Sequence, residues 1–354
     1  MLKAIIVFLS ALFVSCSNIK PILTSITDGD KENTAVEIEA ETKKIEKAPR
    51  PEVYVVKTKE NSQKVKTYCD KTNKFFNKYE WGKSGCHDYT WHHVRNSFWG
   101  NPIVWFVFGD EEKRKKVDMN VTLVMCGVHG DEITPVKFCY DLMDDLKNNP
   151  EVIGDNLIVI APLVAPDSFF RSRPTRTNAR GVDVNRNFPT KDWVNNAKRL
   201  WKRRYGSDPR RFPGKYALSE QETIFQVNLI NLYKPNKIIS VHAPLTLLDY
   251  DGPSFTQKKG IVAKKLLEEM SDKAGKYKIS DYPFFTGSLG NWAGNEKRIP
   301  TFTLELPNSD WHKTDRYYNM FRSAIHHAIQ HDMVVPPLDT DSGERKYSGN
   351  HSHN

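Results

Sequence analysis

NVTLVMCGVHGDE, residues 120–132, begins with an apolar, β-branched run typical of a buried strand and ends in a polar turn. Apolar residues at helical spacing then predict a helix over residues 134–146. His129 follows the strand by two residues, and Glu132 opens the helix. An imidazole and a carboxylate three residues apart on such a turn can contact one metal ion, although a lone pair of this kind is more often an ordinary turn.

The same alternation of strand and helix continues along the chain. Apolar runs at residues 157–163, 237–241 and 300–306 predict three further buried strands. Helices are predicted from a capping box at Ser219 and Glu222 to Tyr233, and over residues 260–273 and 314–332. Strands that are apolar on both faces and alternate with helices indicate an α/β fold. We therefore predict a mixed, mostly parallel sheet flanked by helices.

A second histidine completes a candidate metal site. His242 ends the apolar strand KIISV (237–241), and ligands of open α/β sheets gather at the carboxyl ends of strands. Catalytic zinc takes three protein ligands, often two histidines and one glutamate, and keeps a position for water. With His242 placed like His129, one Zn²⁺ ion held by His129, Glu132 and His242 becomes the favoured interpretation.

Two further polar elements stand out from their surroundings. Glu305 lies inside the apolar strand PTFTLEL (300–306), where a carboxylate is costly unless it is paired or has a role. Its neighbours could raise its pKa towards neutrality, which suits a general base. GVDVNRNFP (181–189) follows an arginine-rich run, and Asn185 beside Arg186 could bind a carboxylate. A surface loop with an Asx turn is the weaker alternative.

These blocks, in this order, resemble the zinc carboxypeptidase family. The loops TRTNARGVD (175–183) and GSLGNWAGNE (287–296) are similar to its murein peptide amidase branch. Enzymes of that branch cut between γ-D-glutamate and meso-diaminopimelate in cell-wall peptides. The resemblance covers roughly residues 90–330 and implies a carboxypeptidase-like sheet of the eight-stranded type.

The resemblance also implies roles, residue by residue. Zinc ligands of the family match His129, Glu132 and His242, and the base that activates water matches Glu305. The arginine that steadies the developing oxyanion matches Arg176. The pair that grips the terminal carboxylate of the substrate matches Asn185 and Arg186. The mobile tyrosine of the family has no secure counterpart, and Tyr250 is the candidate.

The N-terminus predicts export. A positive start, an apolar run over residues 4–14 and the sequence VSC (14–16) are typical of a secretory signal. The cysteine resembles that of a bacterial lipoprotein, so residues 1–16 are predicted to be a signal peptide with Cys16 lipidated. An ordinary cleaved signal is the alternative. Residues 17–61 read as a disordered tether, 62–335 as the catalytic domain and 336–354 as a flexible tail. Residues 62–95 fit either a small cap or extra turns on the fold.

Composition and cysteines set broader limits. Hydrophobic residues at 39% and charged residues at 27% exclude a membrane bundle and a wholly disordered chain. The net charge of +9 favours anionic partners. The basic stretch 198–211 could bind such a partner; the alternative is an ordinary solvated helix and loop. Cys69 and Cys86 could pair. Cys126 and Cys139 are expected to be buried small hydrophobes.

The predicted function is that of a periplasmic, lipid-anchored zinc hydrolase, a carboxypeptidase or amidase acting on peptidoglycan stem peptides at the γ-D-glutamyl-meso-diaminopimelate bond. Its expected partners are the peptide substrate and, through Cys16, the membrane; we expect a monomer that binds no nucleic acid. Alternatives are a general metallocarboxypeptidase, an N-acyl amino acid deacylase, which would share a shorter Asp-x-Asn-Arg element, and a wall-binding lipoprotein without activity.

Overall fold

A seven-stranded mixed sheet forms the centre of the computed structural model, which describes residues 60–333. The strands are β1 (His92–Asn96), β2 (Pro102–Phe108), β3 (Val121–Met125), β4 (Leu157–Ala161), β5 (Lys237–His242), β6 (Leu247–Asp251) and β7 (Thr301–Glu305). Their order across the sheet is β1-β2-β4-β3-β5-β7-β6. The predicted α/β class with a mixed sheet is confirmed, and four strands lie where the apolar runs placed them.

Within the described residues the sheet has one strand fewer than the eight-stranded type. The sheet is parallel only at its centre, where β4, β3, β5 and β7 are neighbours. β1, β2 and β6 join antiparallel at the flanks. β1 and β6 mix polar with apolar residues and lack the uniform apolar run of a central strand, so sequence analysis did not find them. β2 is apolar throughout, and sequence analysis did not use this strand signal. Beyond β6 there is a single parallel bridge, from Leu248 to Ile279.

Helices cover both faces of the sheet. They are α1 (Gln63–Lys78), α2 (Glu111–Arg114), α3 (Ile133–Asn148), α4 (Pro166–Phe169), α5 (Trp193–Arg203), α6 (Gln221–Tyr233), α7 (Lys258–Lys273) and α8 (Thr314–Gln330), with a π-helix at Gly290–Glu296. In β4, Ile158 and Ile160 pack towards α1, α3, α7 and α8. Leu157 and Val159 point to the other face, towards α6 and the π-helix. This alternation gives the sheet a core on each side.

The segment before β1 belongs to the same fold. Tyr68 and Phe76 of α1 lie in one hydrophobic cluster with the sheet, α3 and α8. A disulfide joins Cys69 in α1 to Cys86 in the turn before β1. Of the two alternatives for residues 62–95, the structure shows the extra turns and not a separate cap.

A second disulfide corrects an expectation. Cys126 and Cys139 are bonded to each other, with their Cα atoms 6.3 Å apart, and are not free hydrophobic thiols. Cys126 directly follows β3 and Cys139 lies in α3, which packs on that strand, so the fold brings them together. The bridge spans a sequence separation of 13 residues, and the turn with His129 and Glu132 lies inside this loop.

The capping-box prediction is wrong. α6 begins after Glu220, and Ser219 instead donates its hydroxyl hydrogen to the Glu220 carboxylate. The predicted signal peptide, the Cys16 lipid site, almost all of the tether and the tail lie outside the described residues. Within residues 60–333, no helix combines the length and the apolar character needed to cross a bilayer.

Candidate active site

Three side chains from two neighbouring parallel strands converge at one edge of the sheet. The turn from β3 to α3 carries His129 and Glu132, and β5 ends in His242. Nδ1 of His129 lies 2.7 Å from Oε1 of Glu132, and Nδ1 of His242 lies 2.8 Å from Oε2 of the same carboxylate. The three candidate ligand atoms all lie within 4.8 Å of one another. We call His129, Glu132 and His242 the buried triad.

A glycine lets this turn lie against its neighbour. A Cβ atom on Gly130 would stand 2.3 Å from the carbonyl carbon of Ser168 in α4, closer than real atoms approach. Backbone contact of this kind fixes the position of the turn, and with it the directions of His129 and Glu132.

In both histidines of the buried triad, Nε2 has a hydrogen-bond partner, which orients the ring and its Nδ1 atom. Nε2 of His129 lies 3.0 Å from Oδ1 of Asp183, and Nε2 of His242 lies 3.0 Å from the Ser240 hydroxyl. Asp183 is fully buried; burial acts to raise its pKa, but Arg176 and His129 hold it well below the usual range. An ionised Asp183 only accepts, so Nε2 of His129 donates, and its Nδ1 keeps a lone pair for a metal. This donor set fits a zinc ion with three protein ligands.

Glu305 stands beside the buried triad because β7 pairs with β5. It is the direct cross-strand partner of His242, and its Oε2 accepts a hydrogen bond from the Leu245 amide at 3.3 Å. Burial raises the pKa of Glu305, Glu132 adds to the rise, and His242 opposes it. A carboxylate with a raised pKa next to a metal site is a stronger base than an ordinary glutamate, which suits the role of general base.

Arg176 contacts the buried triad directly. Its Nε donates to Oδ2 of Asp183 at 3.0 Å, and its Nη1 donates to Oε1 of Glu132 at 3.1 Å. Burial acts to lower the pKa of Arg176, but the two carboxylates outweigh it and raise the value. The guanidinium therefore remains a cation at the mouth of the metal site.

Asn185 and Arg186 form a short turn that Asp183 caps by accepting a bond from the Asn185 amide. The Asn185 side-chain oxygen accepts from the Leu289 amide at 2.8 Å. The Arg186 guanidinium lies over the Phe285 ring at 4.5 Å and donates to the Asn185 carbonyl. Within residues 60–333, the buried Nε of Arg186 has no hydrogen-bond partner. An arginine held in this way can bind an anion that enters from outside.

One cleft of about 510 Å³ is lined by all seven predicted site residues: His129, Glu132, Arg176, Asn185, Arg186, His242 and Glu305. Tyr250 does not line this cleft; its hydroxyl donates to the Pro253 carbonyl and its ring stacks on Phe255. Tyr282 lines the cleft instead.

Sequence analysis gave no site role to several other cleft residues. Arg210 and Arg211 reach the cleft from the basic stretch 198–211, whose charge was the available signal. Asp249 and Asp251 line it from β6. Asp183 lay within the recognised GVDVNRNFP block, two residues before Asn185, and received no separate role. Its position two residues before Asn185 was the available sign that Asp183 belongs to the site.

Known proteins share this sequence pattern and this fold. The family model described as zinc carboxypeptidase matches residues 86–333. The murein peptide amidase A of Vibrio campbellii is 29% identical over 52% of this chain and 68% of the relative. The murein peptide amidase A of Escherichia coli is 28% identical over 61% and 80%.

Among solved structures, bovine thrombin-activatable fibrinolysis inhibitor in complex with tick carboxypeptidase inhibitor shares the fold. The TM-score is 0.56 at 16% identity, over 73% of this chain and 95% of that one. The family model covers well over half of the sequence. This chain belongs to the zinc carboxypeptidase family, a family of hydrolases.

Proposed function

We propose that this chain is a zinc-dependent carboxypeptidase or amidase that cuts peptidoglycan stem peptides at the γ-D-glutamyl-meso-diaminopimelate bond. The observation that carries the proposal is the cleft itself. The buried triad and Glu305 line one part of it, and Arg186, whose buried Nε has no hydrogen-bond partner among residues 60–333, lines another. Such a cleft suits hydrolysis of a bond close to a free carboxylate.

Each side chain has a task that its position supports. When bound, zinc supplies Lewis-acid polarisation of the scissile carbonyl and of water. Glu305 takes a proton from the attacking water and returns it to the leaving amine. Arg176 lies beside Glu132 and donates hydrogen bonds to the oxygen on which negative charge develops. Asp183 and Ser240 hold the two imidazoles in place.

The carboxylate end of the substrate is assigned to Asn185 and Arg186. Arg186 has its guanidinium plane fixed against Phe285, so it loses little freedom when an anion binds. A bidentate contact there would place the last peptide bond towards the buried triad. This arrangement favours removal of a C-terminal residue.

The choice of substrate rests on likeness and on predicted location. Both relatives described above are named murein peptide amidase A. The predicted signal and lipid site at Cys16 would place the enzyme in the periplasm, where it would meet peptidoglycan directly. The lipid anchor and the monomeric state are parts of the same proposal.

The test uses murein tripeptide, with ordinary C-terminal peptides and an acetylated amino acid as parallel substrates. Release of diaminopimelate, followed by mass spectrometry, is the expected result. Glu305→Gln should lower kcat by about 10²- to 10⁴-fold, the range for loss of an acid–base group, and retain zinc. Glu269→Gln, a carboxamide exchange on α7 away from the cleft, is the matched control.

Turnover of ordinary peptides without release of diaminopimelate would reject the murein substrate in favour of a general metallocarboxypeptidase. Preference for the acetylated amino acid would indicate a deacylase. Equal, measurable turnover by wild type and Glu305→Gln would contradict the proposed catalytic site. If wild type with bound zinc turned over none of these substrates, a wall-binding role without activity would be favoured.

A further inference from the structure

The two acidic residues at the start of α6 point into the protein. Glu220 directly precedes α6, Glu222 lies in its first turn, and each is only 1% exposed. Both carboxyl groups accept a hydrogen bond from the same amide group. Nδ2 of Asn178 donates to Oε2 of Glu220 at 2.8 Å and to Oε2 of Glu222 at 2.9 Å. Two buried acidic groups therefore converge on one neutral side chain, and the proposed mechanism uses none of the three.

Asn178 holds together a loop, residues 176–183, that begins and ends at site residues. Its Oδ1 accepts hydrogen bonds from the backbone amides of Arg180 at 3.0 Å and of Val182 at 3.1 Å. Its backbone amide donates to the Val182 carbonyl at 2.9 Å. With the two bonds from Nδ2, the side chain makes all four hydrogen bonds that a carboxamide can make. The shape of the loop thus depends on Asn178, and Asn178 is bound to the two glutamates.

The two ends of this loop contact the buried triad. Nε of Arg176 donates to Oδ2 of Asp183 at 3.0 Å, so the ends are joined to each other. Arg176 also donates to Glu132, and Asp183 accepts from His129. Asn178 lies two residues after Arg176 and five before Asp183. A displacement of Asn178 would therefore reach the oxyanion-stabilising arginine through very little intervening chain.

The glutamates form a fixed support because the start of α6 is bound elsewhere. Thr223 donates its hydroxyl hydrogen to the Val184 carbonyl at 3.2 Å, and the Glu220 amide donates to Oδ1 of Asn187 at 3.1 Å. Both contacts join α6 to the short turn that carries Asn185. The carboxyl groups therefore stay in place when the loop moves, and the loop takes its position from them.

Glu222 carries a charge that the protein does not neutralise. In the described range it makes no ion pair, and its buried Oε1 has no hydrogen-bond partner. Burial raises the pKa of Glu222 to about 7 against the hydrogen bond from Asn178, and Asp167 and Glu220 add to the rise. Glu220, by contrast, lies 3.8 Å from Nε of Arg180. A protonated Glu222 is therefore the form that fits beside Glu220.

We propose that Glu220 and Glu222 are positioning residues of the active site that act through Asn178. They fix the loop 176–183 and so direct Arg176 towards the developing oxyanion. This inference rests on the proposed function and deepens it, because it also gives the site a dependence on pH. When Glu222 loses its proton, a second negative charge is buried beside Glu220, and the repulsion loosens the loop.

The neighbours of Glu222 belong to α4, β1, the loop and the turn at residues 184–186. Among them, Asp167 and Glu220 act on its pKa, and Arg95 donates to the adjacent Gln221 without giving its distance here. In the described range, no cation pairs with Glu222. The titratable and charged residues of these elements are Asp167, Arg176, Arg180, Asp183, Arg186, His92, His93 and Arg95.

Hydrogen exchange followed by mass spectrometry tests the loop directly. Asn178→Ala removes two hydrogen bonds to the loop amides of residues 180 and 182, so these should exchange about 10-fold faster than in wild type. Glu222→Gln stays neutral at every pH. The ratio of the wild-type rate to the Glu222→Gln rate should grow about 10-fold from pH 6 to pH 8.5, because loop opening returns a carboxyl group with a pKa near 7 to its ordinary value.

Kinetics on whichever peptide wild type cuts tests the positioning role. Asn178→Ala should lower kcat by about 10-fold, part of the 10²- to 10³-fold that loss of an oxyanion donor costs. KM should change little, because Arg186 is untouched. The kcat of Glu222→Gln relative to wild type should rise between pH 6 and pH 8.5, because the variant cannot ionise at this position.

Asp141→Asn is the matched control. Burial raises the pKa of Asp141 to about 6, but this residue lies on α3, pairs with Lys137 and does not line the cleft. The exchange of the loop amides and the pH profile of kcat should match those of wild type. A change in Asp141→Asn equal to that in Glu222→Gln would overturn the inference, since any buried acid would then have the same effect.

The remaining outcomes separate this inference from the proposed function. Unchanged loop exchange in Asn178→Ala, or a ratio for Glu222→Gln that is constant with pH, would overturn the positioning role, as would faster exchange with unchanged kcat. If Asn178→Ala does not fold, Glu222→Gln alone supplies both readouts. Exchange needs no substrate, so the expected exchange rates together with no turnover of any peptide would support the link to the loop and contradict the proposed function.

Discussion

Two sets of side chains in this molecule offer the same donors, two imidazoles and one glutamate. The buried triad lies at the edge of the sheet, whereas Glu269, His327 and His331, which we call the outer triad, lie half-buried on α7 and at the end of α8. Both sets bring their ligand atoms within 4.8 Å. Donor type and spacing are therefore equal, and the surroundings make the difference.

Those surroundings differ in three ways. The imidazoles of the buried triad have polar partners at their outer nitrogens, whereas in the described part of the chain the second nitrogens of His327 and His331 have none. Glu269 already pairs with Lys265 at 3.8 Å, and the Lys237 ammonium lies at the His331 carbonyl, so cations crowd the outer triad. In the described part of the chain, the pocket that His327 lines contains no carboxylate that could act as a base like Glu305. A zinc site with a chemical task needs these additions as well as three donors.

The largest expected effect comes from removing one imidazole from each set. His242→Ala should lose bound zinc and lower kcat/KM by about 10³-fold or more, because several kcal/mol of charge stabilisation disappear. His327→Ala should keep the bound zinc and the wild-type kcat/KM. Zinc per chain, measured by elemental mass spectrometry, and peptide turnover provide the readouts. Zinc loss from His327→Ala but not from His242→Ala would reverse the comparison.

The disulfides give the next effect. Loop-closure entropy predicts a loss of about 3 kcal/mol in unfolding free energy when either bridge is replaced by two alanines. Only Cys126–Cys139 encloses His129 and Glu132, so only its removal should also weaken zinc binding. Denaturant unfolding and chelator competition on both double variants test this difference. Equal zinc affinity in the two variants would show that the bridge does not support the turn.

A smaller effect is expected from the partner of an imidazole. Asp183→Asn should lower zinc affinity by about 10- to 100-fold, the range for loss of an outer partner of a metal-binding histidine. Ser240→Ala removes a neutral partner and should cost less. Competition with a chelator of known affinity measures both. An unchanged affinity in Asp183→Asn would mean that the ring of His129 is held by other contacts.

The smallest effect should come from the outer triad itself. Glu269→Gln removes the negative charge from a half-exposed contact with His327, and such charged pairs contribute about 0.2–1 kcal/mol. Thermal unfolding with and without added zinc should therefore change little. A large zinc-dependent stabilisation of wild type that Glu269→Gln abolishes would show that the outer triad is a true metal site.

Sequence analysis could predict the parts that depend on regular patterns. The proximity of His129 to His242 follows from two parallel strands whose carboxyl ends meet, and Glu305 was visible as a charge inside an apolar strand. Their roles as ligands and base stay predictions. Asp249 and Asp251 were missed because β6 is a short flanking strand whose alternating polar residues look like a loop.

Other misses have equally local causes. A cysteine in an apolar strand has the same surroundings whether it is free or bonded, so the partner of Cys126 depends on how α3 packs. Arg210 and Arg211 reach the cleft through tertiary placement alone, and their charge could not say which way they face. Tyr250 was proposed from its neighbours in sequence, but its hydroxyl is occupied by Pro253.

The segment 287–294 has a consequence for how this enzyme can evolve. Its glycines lie so close to Arg186 and Asp251 that any larger residue would push one of the two aside. Mutation there would damage the cleft before it could produce a new preference. A descendant with altered cleft chemistry would have to arise through changes at positions other than these glycines.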